Sequence, residues 1–353
     1  MPATSRLRRS VPKPETLTNG FHRDIIVIGA SAGGVEALMN LTSRFAAMDA
    51  AIFVVLHSGP NRPSYLYSLL HRQKQAMHVE AAENDLPIEH GRMYLSVPNY
   101  HLVLEPDRMR LVHGPMENRH RPSIDALFRS AARSFGARVI GVVLSGYLDD
   151  GSAGLHSIKR AGGLAIAQDP KDAMVPSMPQ AAIATTAVDY ISPVSDIPAL
   201  LDRLVKQPVT AERVSPAALE SGNGKDELVD PKGDLSAYTC PECHGTLWEV
   251  QEGKLLRYAC RTGHSYTIES MLAAQSDSAE RAFWAALRAL EERADLTRRM
   301  EQRSRANGFK NAADRYRELA QSAERNATVL RKLLLENPPG QSRERSDELA
   351  NLA

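Results

Sequence analysis

Four short apolar runs stand out in the first half of the chain, and none of them alternates with polar residues. They span residues 25–28, 52–56, 139–144 and 164–167. Continuous Val/Ile/Leu/Ala runs of this length are typical of strands buried on both faces. Helix-like stretches lie between them, at 35–47, 64–73, 123–135 and 152–160. This alternation predicts an α/β fold with a parallel, doubly wound sheet.

One segment interrupts the alternation of strand and helix. Short runs at 92–97, 101–105 and 109–113 are joined by the turn formers Pro98-Asn99 and Pro106-Asp107. Such spacing predicts an antiparallel β-meander attached to the parallel sheet.

The pattern changes in the second half of the chain, which predicts several smaller parts. Apolar residues return at helical spacing from Ser276 onward, and Asn307-Gly308 divides them into two amphipathic helices that form a hairpin. We therefore expect an arm at 1–22, a catalytic domain at 23–205, a linker at 206–236, a metal-stapled module at 237–268, the helical hairpin at 269–337 and a tail at 338–353.

Composition adds few constraints to this picture. The chain has 353 residues, 43% of them hydrophobic, and a formal net charge of +1. This balance indicates no nucleic-acid partner. No apolar run approaches the roughly 18 residues of a membrane span, and the N-terminal residues lack the apolar core of a secretion signal. We expect a cytoplasmic protein without membrane insertion.

The first candidate for chemistry is Ser31, in a turn between a predicted strand and a predicted helix. Gly29 to Gly33 read Gly-Ala-Ser-Ala-Gly, and a Gly-x-Ser-x-Gly turn in this setting presents a nucleophilic serine. The N–H groups of Ala32, Gly33 and Gly34 open the next helix, where they could stabilise an oxyanion. The alternative is a phosphate-binding turn, although Ser31 occupies the middle glycine position of that fingerprint.

A base and an acid follow two other predicted strands. His57 comes directly after the run 52–56, and Asp149 and Asp150 follow the run 139–144. Because the carboxyl ends of parallel strands meet at one edge, these groups should lie near Ser31. Taken singly, either aspartate could instead cap the next helix. The remaining histidines, His71, His78 and His120 among them, are expected at the surface.

All three cysteines fall in one short stretch. Cys240 and Cys243 form C-x2-C, and Cys260 with His264 forms C-x3-H. This set is typical of a closed structural zinc site, which leaves no coordination position for catalysis. His244 is an alternative ligand with poorer spacing. A module this small cannot bury enough surface to fold alone, so a metal staple is expected, and the alternative is three incidental cysteines.

The motifs taken in order resemble the chemotaxis protein-glutamate methylesterases. The resemblance covers residues 23–205 and is carried by Val55-Leu56-His57, Arg121-Pro122-Ser123-Ile124-Asp125, Val143-Leu144-Ser145-Gly146, Asp150-Gly151, Ala167-Gln168-Asp169 and Met178-Pro179-Gln180, together with the Ser31 segment. It implies Ser31 as nucleophile, His57 as general base and Asp150 as the orienting acid. It also implies that the backbone N–H of Tyr147 contributes to the oxyanion site.

The resemblance further implies a reaction and a partner. Family members hydrolyse glutamate γ-methyl esters on the cytoplasmic helical bundles of chemoreceptors, and many deamidate glutamine there, without a cofactor for catalysis. Two alternatives remain open. The chain could be a non-catalytic signalling adaptor with the esterase fold, or a serine hydrolase of another ester that serves other sensory signalling proteins.

This chain departs from the family pattern in three places. Gly146-Tyr147-Leu148 replaces the usual Gly-Met-Gly before the acid, and Ser177 stands where glycine is common. These changes bear on the substrate groove. Family members also carry an N-terminal receiver domain, for which the residues before the first strand are too few, so we expect no phosphorylation switch.

Overall fold

The computed structural model of the protein describes residues 21–57, 65–73, 76–209, 233–253 and 255–336. Its contacts divide the chain into two compact units, Met1–Asp226 and Glu227–Ala353. The predicted tail, most of the predicted linker and residues 1–20 of the predicted arm lie outside the described residues. No helix among the described residues is both long and apolar enough to span a membrane.

The first unit is built on a parallel sheet. Its strands are β1 (Phe21–His22), β2 (Ile25–Ala30), β3 (Ala51–Leu56), β4 (His78–Ala81), β5 (Arg92–Leu95), β6 (His101–Leu104), β7 (Met109–Val112), β8 (Val139–Val143), β9 (Leu164–Gln168), β10 (Tyr190–Ser192) and β11 (Pro208–Val209). Seven of them form the sheet, in the order β10-β9-β8-β2-β3-β5-β4, and all neighbours are parallel. The four predicted apolar runs are β2, β3, β8 and β9.

Helices cover both faces of this sheet. They are α1 (Gly34–Thr42), α2 (Tyr65–Arg72), α3 (Ile124–Phe135), α4 (Ser152–Arg160), α5 (Ser177–Thr185) and α6 (Ile197–Val205). One core cluster packs β-strand side chains against α1, α2 and α6. The other packs the opposite face against α3, α4 and α5. The predicted doubly wound α/β architecture is confirmed.

The predicted three-stranded meander is wrong in one strand. Only β6 and β7 form an antiparallel pair, whereas β5 lies inside the main sheet, parallel to both β3 and β4. The reason is burial, because Met93, Tyr94 and Leu95 are all buried and a central strand needs cover on both faces. Sequence analysis also missed β4 and β10, which are short and carry few apolar residues.

Two smaller differences concern the ends of elements. Helix α1 ends at Thr42, earlier than predicted, and the Ser43 hydroxyl donates to the Asn40 carbonyl at 2.8 Å. Such local side-chain bonds compete with helix continuation. Strand β1 pairs with β11 in an antiparallel ribbon, and these strands fall within the predicted arm and the predicted linker.

The strand order places a topological switch beside β2. The chain passes from β2 to β3 on one side, and β8 later pairs with β2 on the other. The carboxyl ends of β2, β3 and β8 therefore stand side by side at one edge. A crevice at such a switch point is where open α/β sheets place their functional residues.

The second unit combines a small antiparallel sheet with two long helices. Its elements are β12 (Asp234–Thr239), β13 (Thr246–Glu252), β14 (Leu255–Cys260), β15 (Ser265–Thr267), α7 (Ile268–Ala306) and α8 (Lys310–Glu336). Strands β13 and β14 form an antiparallel pair, with Val250 opposite Arg257. A capping box of Thr267 and Ser270 starts α7 before the predicted point.

The two long helices form the predicted hairpin. Gly308, at a φ of 79°, lies between them, where a left-handed backbone suits glycine. Leu287, Ala327 and Leu334 are buried in their contact. Arg298 of α7 bonds Glu324 of α8, and Arg331 of α8 bonds Glu291 of α7, so the helices run antiparallel.

Candidate active site

The turn after β2 holds Ser31 at the switch point. Its backbone N–H donates to the Ser145 carbonyl at 2.9 Å, which ties the end of β2 to the end of β8. The turn closes at Gly33, whose φ of 73° is left-handed. A side chain there would come within 2.7 Å of the Ser145 hydroxyl oxygen and 2.8 Å of the Met174 Cβ. Glycine is therefore required both by conformation and by space.

His57 meets Ser31 from the neighbouring strand end. Its Nδ1 lies 3.2 Å from Ser31 Oγ, and its Nε2 lies 2.8 Å from Asp150 Oδ2. The two ring nitrogens are thus used in the reverse of the usual serine-protease order. Since neutral imidazole has one donor and one acceptor, a proton on Nε2 leaves Nδ1 free to accept from Ser31.

Asp150 is buried beneath His57 and is surrounded by donors. Its side chain is 2% exposed. Oδ2 accepts from the Ile124 N–H at 2.7 Å, and Oδ1 accepts from the Ser123 hydroxyl at 2.9 Å. Burial by itself would raise the pKa of this carboxyl, but its hydrogen bond and electrostatic interaction with His57 hold the pKa below its usual range. Asp150 therefore stays ionised at the amino end of α3, where the helix dipole favours an anion.

The structure distinguishes the two adjacent aspartates. Asp150 bonds His57, whereas the Asp149 backbone carbonyl accepts from the Ser152 N–H at 3.1 Å in the first turn of α4. The amino end of α4 is capped by Asp125, whose Oδ1 accepts from the Gly151 N–H at 3.0 Å. Asp150 thus accepts from the first N–H groups of α3, the helix that contains Asp125. Asp125 in turn accepts from N–H groups at the start of α4, the helix that follows Asp150.

The predicted oxyanion donors fall into two groups. The Gly34 N–H already donates to the Ser31 carbonyl at 2.8 Å, so this N–H is not available as an oxyanion donor. Among the described residues, the backbone N–H groups of Ala32, Gly33 and Tyr147 make no hydrogen bond. The Tyr147 side chain is 57% exposed beside them.

Leu148 adopts a backbone conformation that favours glycine. Its φ of 61° is left-handed, which a branched side chain rarely tolerates. Ser177, the other replacement, donates its hydroxyl hydrogen to the Gly146 carbonyl at 3.0 Å. Both departures from the family pattern therefore bear on the turn between β8 and Asp150.

His120 was expected at the surface, and that prediction is wrong. Its ring stacks on the ring of His57 with centroids 3.6 Å apart and an interplanar angle of 13°. Burial and then the neighbouring His57 lower the pKa of His120 to about 3. Sequence spacing offered no signal, because the contact joins two distant loops. His71 and His78 are exposed, as expected.

Sequence reasoning also missed side chains that support the site. Ser145 donates its hydroxyl hydrogen to the Ala32 carbonyl at 2.8 Å, and its backbone N–H donates to Gln168 Oε1 at 2.9 Å. Asn118 donates to Asp150 Oδ1 at 2.9 Å. Ser145 and Gln168 lie in motifs quoted for the family resemblance, which was the available signal for them.

The second unit gathers the four predicted metal ligands. One ligand atom from each of Cys240, Cys243, Cys260 and His264 lies within 4.8 Å of all the others. The Cys243 and Cys260 sulfurs are 3.7 Å apart, and His264 Nδ1 lies 3.5 Å from the Cys260 sulfur. A tetrahedral site with Zn–S bonds of about 2.3 Å requires S···S separations of roughly 3.8 Å. The donor set and its spacing fit zinc, with His264 rather than His244 in the cluster.

The thiols of this cluster are chemically coupled. The hydrogen bond with Cys260 lowers the pKa of Cys240 to about 2 and raises that of Cys260. The Tyr266 hydroxyl lies 3.6 Å from the Cys240 sulfur. A metal ion that binds these residues takes the cysteines as thiolates and displaces the protons of those still present as thiols.

Comparisons with known proteins place the first unit in one protein family. The family model described as CheB methylesterase matches residues 26–201. A protein of Leptospira interrogans, provisionally named a protein-glutamate methylesterase/protein-glutamine glutaminase, is 37% identical over 183 residues, which cover 51% of this chain and 94% of that protein. A Rhodospirillum rubrum protein-glutamate methylesterase/protein-glutamine glutaminase is 35% identical over 190 residues, which cover 52% of each chain.

A solved structure gives the same result. The Thermotoga maritima CheB methylesterase catalytic domain superposes with a TM-score of 0.50 and 30% sequence identity, covering 52% of this chain and 98% of that domain. The matched part of this chain is its first unit, which carries Ser31, His57 and Asp150. The chain belongs to the CheB methylesterase family.

Proposed function

We propose that this chain is a protein-glutamate methylesterase that also deamidates glutamine, with Ser31 as its nucleophile. The observation that carries the proposal is the continuous chain of contacts from Ser31 Oγ through His57 to the buried Asp150 carboxylate. A serine hydroxyl, a neutral imidazole and an ionised acid in this order are the parts of an acyl-transfer site. The membership of the family supports the same reaction.

The reaction uses these parts in two stages. His57 Nδ1 removes the Ser31 proton while Oγ attacks the γ-carbonyl carbon of the methylated glutamate. The tetrahedral intermediate collapses to a glutamyl ester of Ser31, and methanol leaves with the proton that His57 held. Water then attacks the acyl group with His57 as base, which frees the glutamate carboxylate and restores Ser31. A glutamine substrate follows the same steps with ammonia as the leaving group.

The remaining groups stabilise charge during these steps. Asp150 fixes the Nε2–H tautomer of His57 and stabilises the imidazolium that forms. The proposed oxyanion donors are the backbone N–H of Tyr147 and the N–H groups of Ala32 and Gly33 before the start of α1, which make no hydrogen bond to the described residues. No step needs a cofactor.

We propose as substrate the methylated helical bundles of chemoreceptors, which places the reaction in the cytoplasm. One observation favours a second candidate, a different ester substrate. Tyr147 is 57% exposed and Leu148 is held in a glycine conformation where the family has smaller or more flexible residues. The non-catalytic adaptor has no such support, because a binding protein does not require an aligned Ser31, His57 and Asp150.

The decisive experiment incubates the protein with methyl-labelled receptor membranes and measures methanol release. We expect release by the wild type and none by Ser31→Ala. Equal release by the two proteins would contradict the methylesterase. A fluorophosphonate that reacts with activated serines provides a second measurement on the same samples. Labelling of Ser31 without methanol release would favour the other ester, and neither signal would favour the adaptor.

We also propose that Cys240, Cys243, Cys260 and His264 hold one structural zinc ion. Four protein ligands close the coordination sphere, so the metal would link two turns of the small sheet rather than take part in hydrolysis. Elemental analysis of reduced, freshly purified protein should give about one zinc per chain. The Cys243→Ser variant should bind it less tightly, and wild-type protein without metal would contradict the site.

A further inference from the structure

The segment Glu117 to His120 forms a tight turn with an unusual backbone. Glu117 and His120 exchange two backbone hydrogen bonds, of 3.2 and 2.9 Å. Between them, Asn118 and Arg119 have φ values of 49° and 70°. Left-handed conformations at two successive non-glycine residues are costly, and they persist only where surrounding contacts hold them.

The contacts that hold this turn include a hydrogen bond to Asp150, the proposed acid of the site. Asn118 is 4% exposed, and its Nδ2 donates to Asp125 Oδ2 at 2.7 Å and to Asp150 Oδ1 at 2.9 Å. The two hydrogens of one amide thus bridge two buried carboxylates. Because Oδ1 of Asp150 is held by Asn118, Oδ2 remains directed at His57. A side-chain ion pair between Glu117 and Arg129 of α3 fastens the turn from the other side.

The other end of the turn leads to the base. His120 covers one face of His57, with the two ring centroids 3.6 Å apart. In a close-packed site this ring removes the space that His57 would need to rotate. Burial of His120 keeps its ring neutral, so it adds no charge when His57 accepts a proton from Ser31.

We propose that the turn 117–120 is a positioning device for the hydrolytic site: Asn118 orients the Asp150 carboxylate, and His120 holds the His57 ring with Nδ1 toward Ser31. Neither side chain forms or breaks a covalent bond in the proposed reaction. The proposal rests on the proposed function, because it needs Ser31 to act as the nucleophile. It accounts for a strained turn of polar residues next to the site, in which Asn118 is buried and the other three residues are half-buried.

The test measures the rate at which a fluorophosphonate labels Ser31, together with kcat and KM for methanol release. His120→Ala should slow labelling and lower kcat by roughly ten- to hundred-fold, while KM stays nearly unchanged, because the base is misplaced rather than removed. His120→Phe keeps a flat ring over His57 and should restore most of the rate. Asn118→Gly suits the left-handed backbone but lacks the amide, and it should be slow as well.

A matched control and a spectroscopic measurement separate positioning from folding. His113→Ala removes an exposed histidine that contacts the ring of Tyr100, and it should label at the wild-type rate. The low-field proton NMR signal of the His57–Asp150 hydrogen bond should be sharp in the wild type and in His120→Phe, and broadened in folded His120→Ala.

The outcomes distinguish this proposal from the function on which it rests. Wild-type labelling no faster than that of Ser31→Ala overturns the proposed function and the positioning device together. Normal wild-type labelling with an equal rate in His120→Ala overturns the positioning device alone. If His120→Ala does not fold, the labelling rates of folded His120→Phe and Asn118→Gly decide whether the turn positions the site. A slow His120→Phe or a fast Asn118→Gly would contradict the proposal.

Discussion

At the scale of single residues, the Asp150 carboxylate decides which ring nitrogen of His57 carries the proton. Four donors other than His57 surround it: the side chains of Asn118 and Ser123 and the backbone N–H groups of Ile124 and Asp125. These donors balance the cost of burying the charge, which an apolar pocket could not do. The carboxylate therefore keeps its charge opposite His57 Nε2.

Replacement of this charge should abolish most of the turnover. In Asp150→Asn the amide can no longer fix the proton on Nε2, and kcat for methanol release should fall by up to ~10⁴-fold. Asp149→Asn is the matched control, since Ser31 and Asp150 lie at the two ring nitrogens of His57, and it should lose far less. A larger loss in Asp149→Asn than in Asp150→Asn would show that the acid is assigned to the wrong residue.

His120 should make the stability of the first unit depend on pH. Its pKa is lowered to about 3 by burial and by the charge of His57, with Asp150 opposing and Arg119 adding to the effect, against about 6.5 in an unfolded chain. Between these values the unfolded chain binds a proton that the folded chain does not. Stability is therefore highest above about pH 6.5 and falls as the pH decreases toward 3.

The size of this effect can be measured by urea unfolding. Between about pH 7 and about pH 4.5, the wild type should lose roughly 2–3 kcal/mol more than His120→Phe, which has no proton to bind. His113→Phe changes an exposed histidine and should show the wild-type dependence. The same pH dependence in His120→Phe and the wild type would contradict a neutral, buried His120.

At the scale of elements, the site depends on close contact between strand β2 and helix α3. Gly29 permits this contact, because a Cβ at that position would come within 2.3 Å of Ile124 Cγ2. The backbone N–H of Ile124 in turn donates to Asp150 Oδ2 at 2.7 Å. The packing of a helix against a strand thus sets the position of the acid.

Gly29→Ala should therefore impair both stability and function. The added methyl group must displace Ile124, which should cost about 1–3 kcal/mol in the free energy of unfolding and slow the labelling of Ser31. Gly114→Ala is the control, because its Cβ would meet its nearest neighbour at 3.6 Å, an ordinary contact. Equal stability of the two variants, measured by urea unfolding, would count against a tight β2–α3 contact.

At the scale of the whole molecule, the two units have separate cores. The clusters on the two faces of the parallel sheet belong to the first unit, whereas Cys240, Leu247, Tyr266 and Met271 belong to a small cluster in the second. A cluster of this size, two of whose members are cysteines, contributes little by itself to the stability of the second unit. The proposed zinc ion should therefore matter for the second unit alone.

Removal of metal from the full chain should test this separation. A chelator under reducing conditions should release the zinc and raise hydrogen exchange in strands β12 to β15, because metal binding contributes directly to folding in such modules. Fluorophosphonate labelling of Ser31 should stay unchanged. Loss of labelling in parallel with loss of zinc would contradict the independence of the two units.

The sequence by itself determined the repeated local features of this protein. The buried parallel strands, the helical hairpin broken at Gly308 and the spacing of the four metal ligands follow from periodicity and residue type, which act over a few residues. His57 and Asp150 could be predicted for a related reason, since His57 directly follows one apolar strand and Asp150 lies in the loop after another. The family motifs then distinguished Asp150 from Asp149.

Only the tertiary structure decided which distant groups touch. The place of β5 inside the parallel sheet, the ring of His120 on His57 and the amide of Asn118 between two carboxylates join segments that carry no local pattern. Their positions depend on packing and on the partners that buried charges require. Both involve residues that are distant in the sequence. The sequence therefore predicted the candidate reactive residues, and the tertiary structure decided which contacts hold them in place.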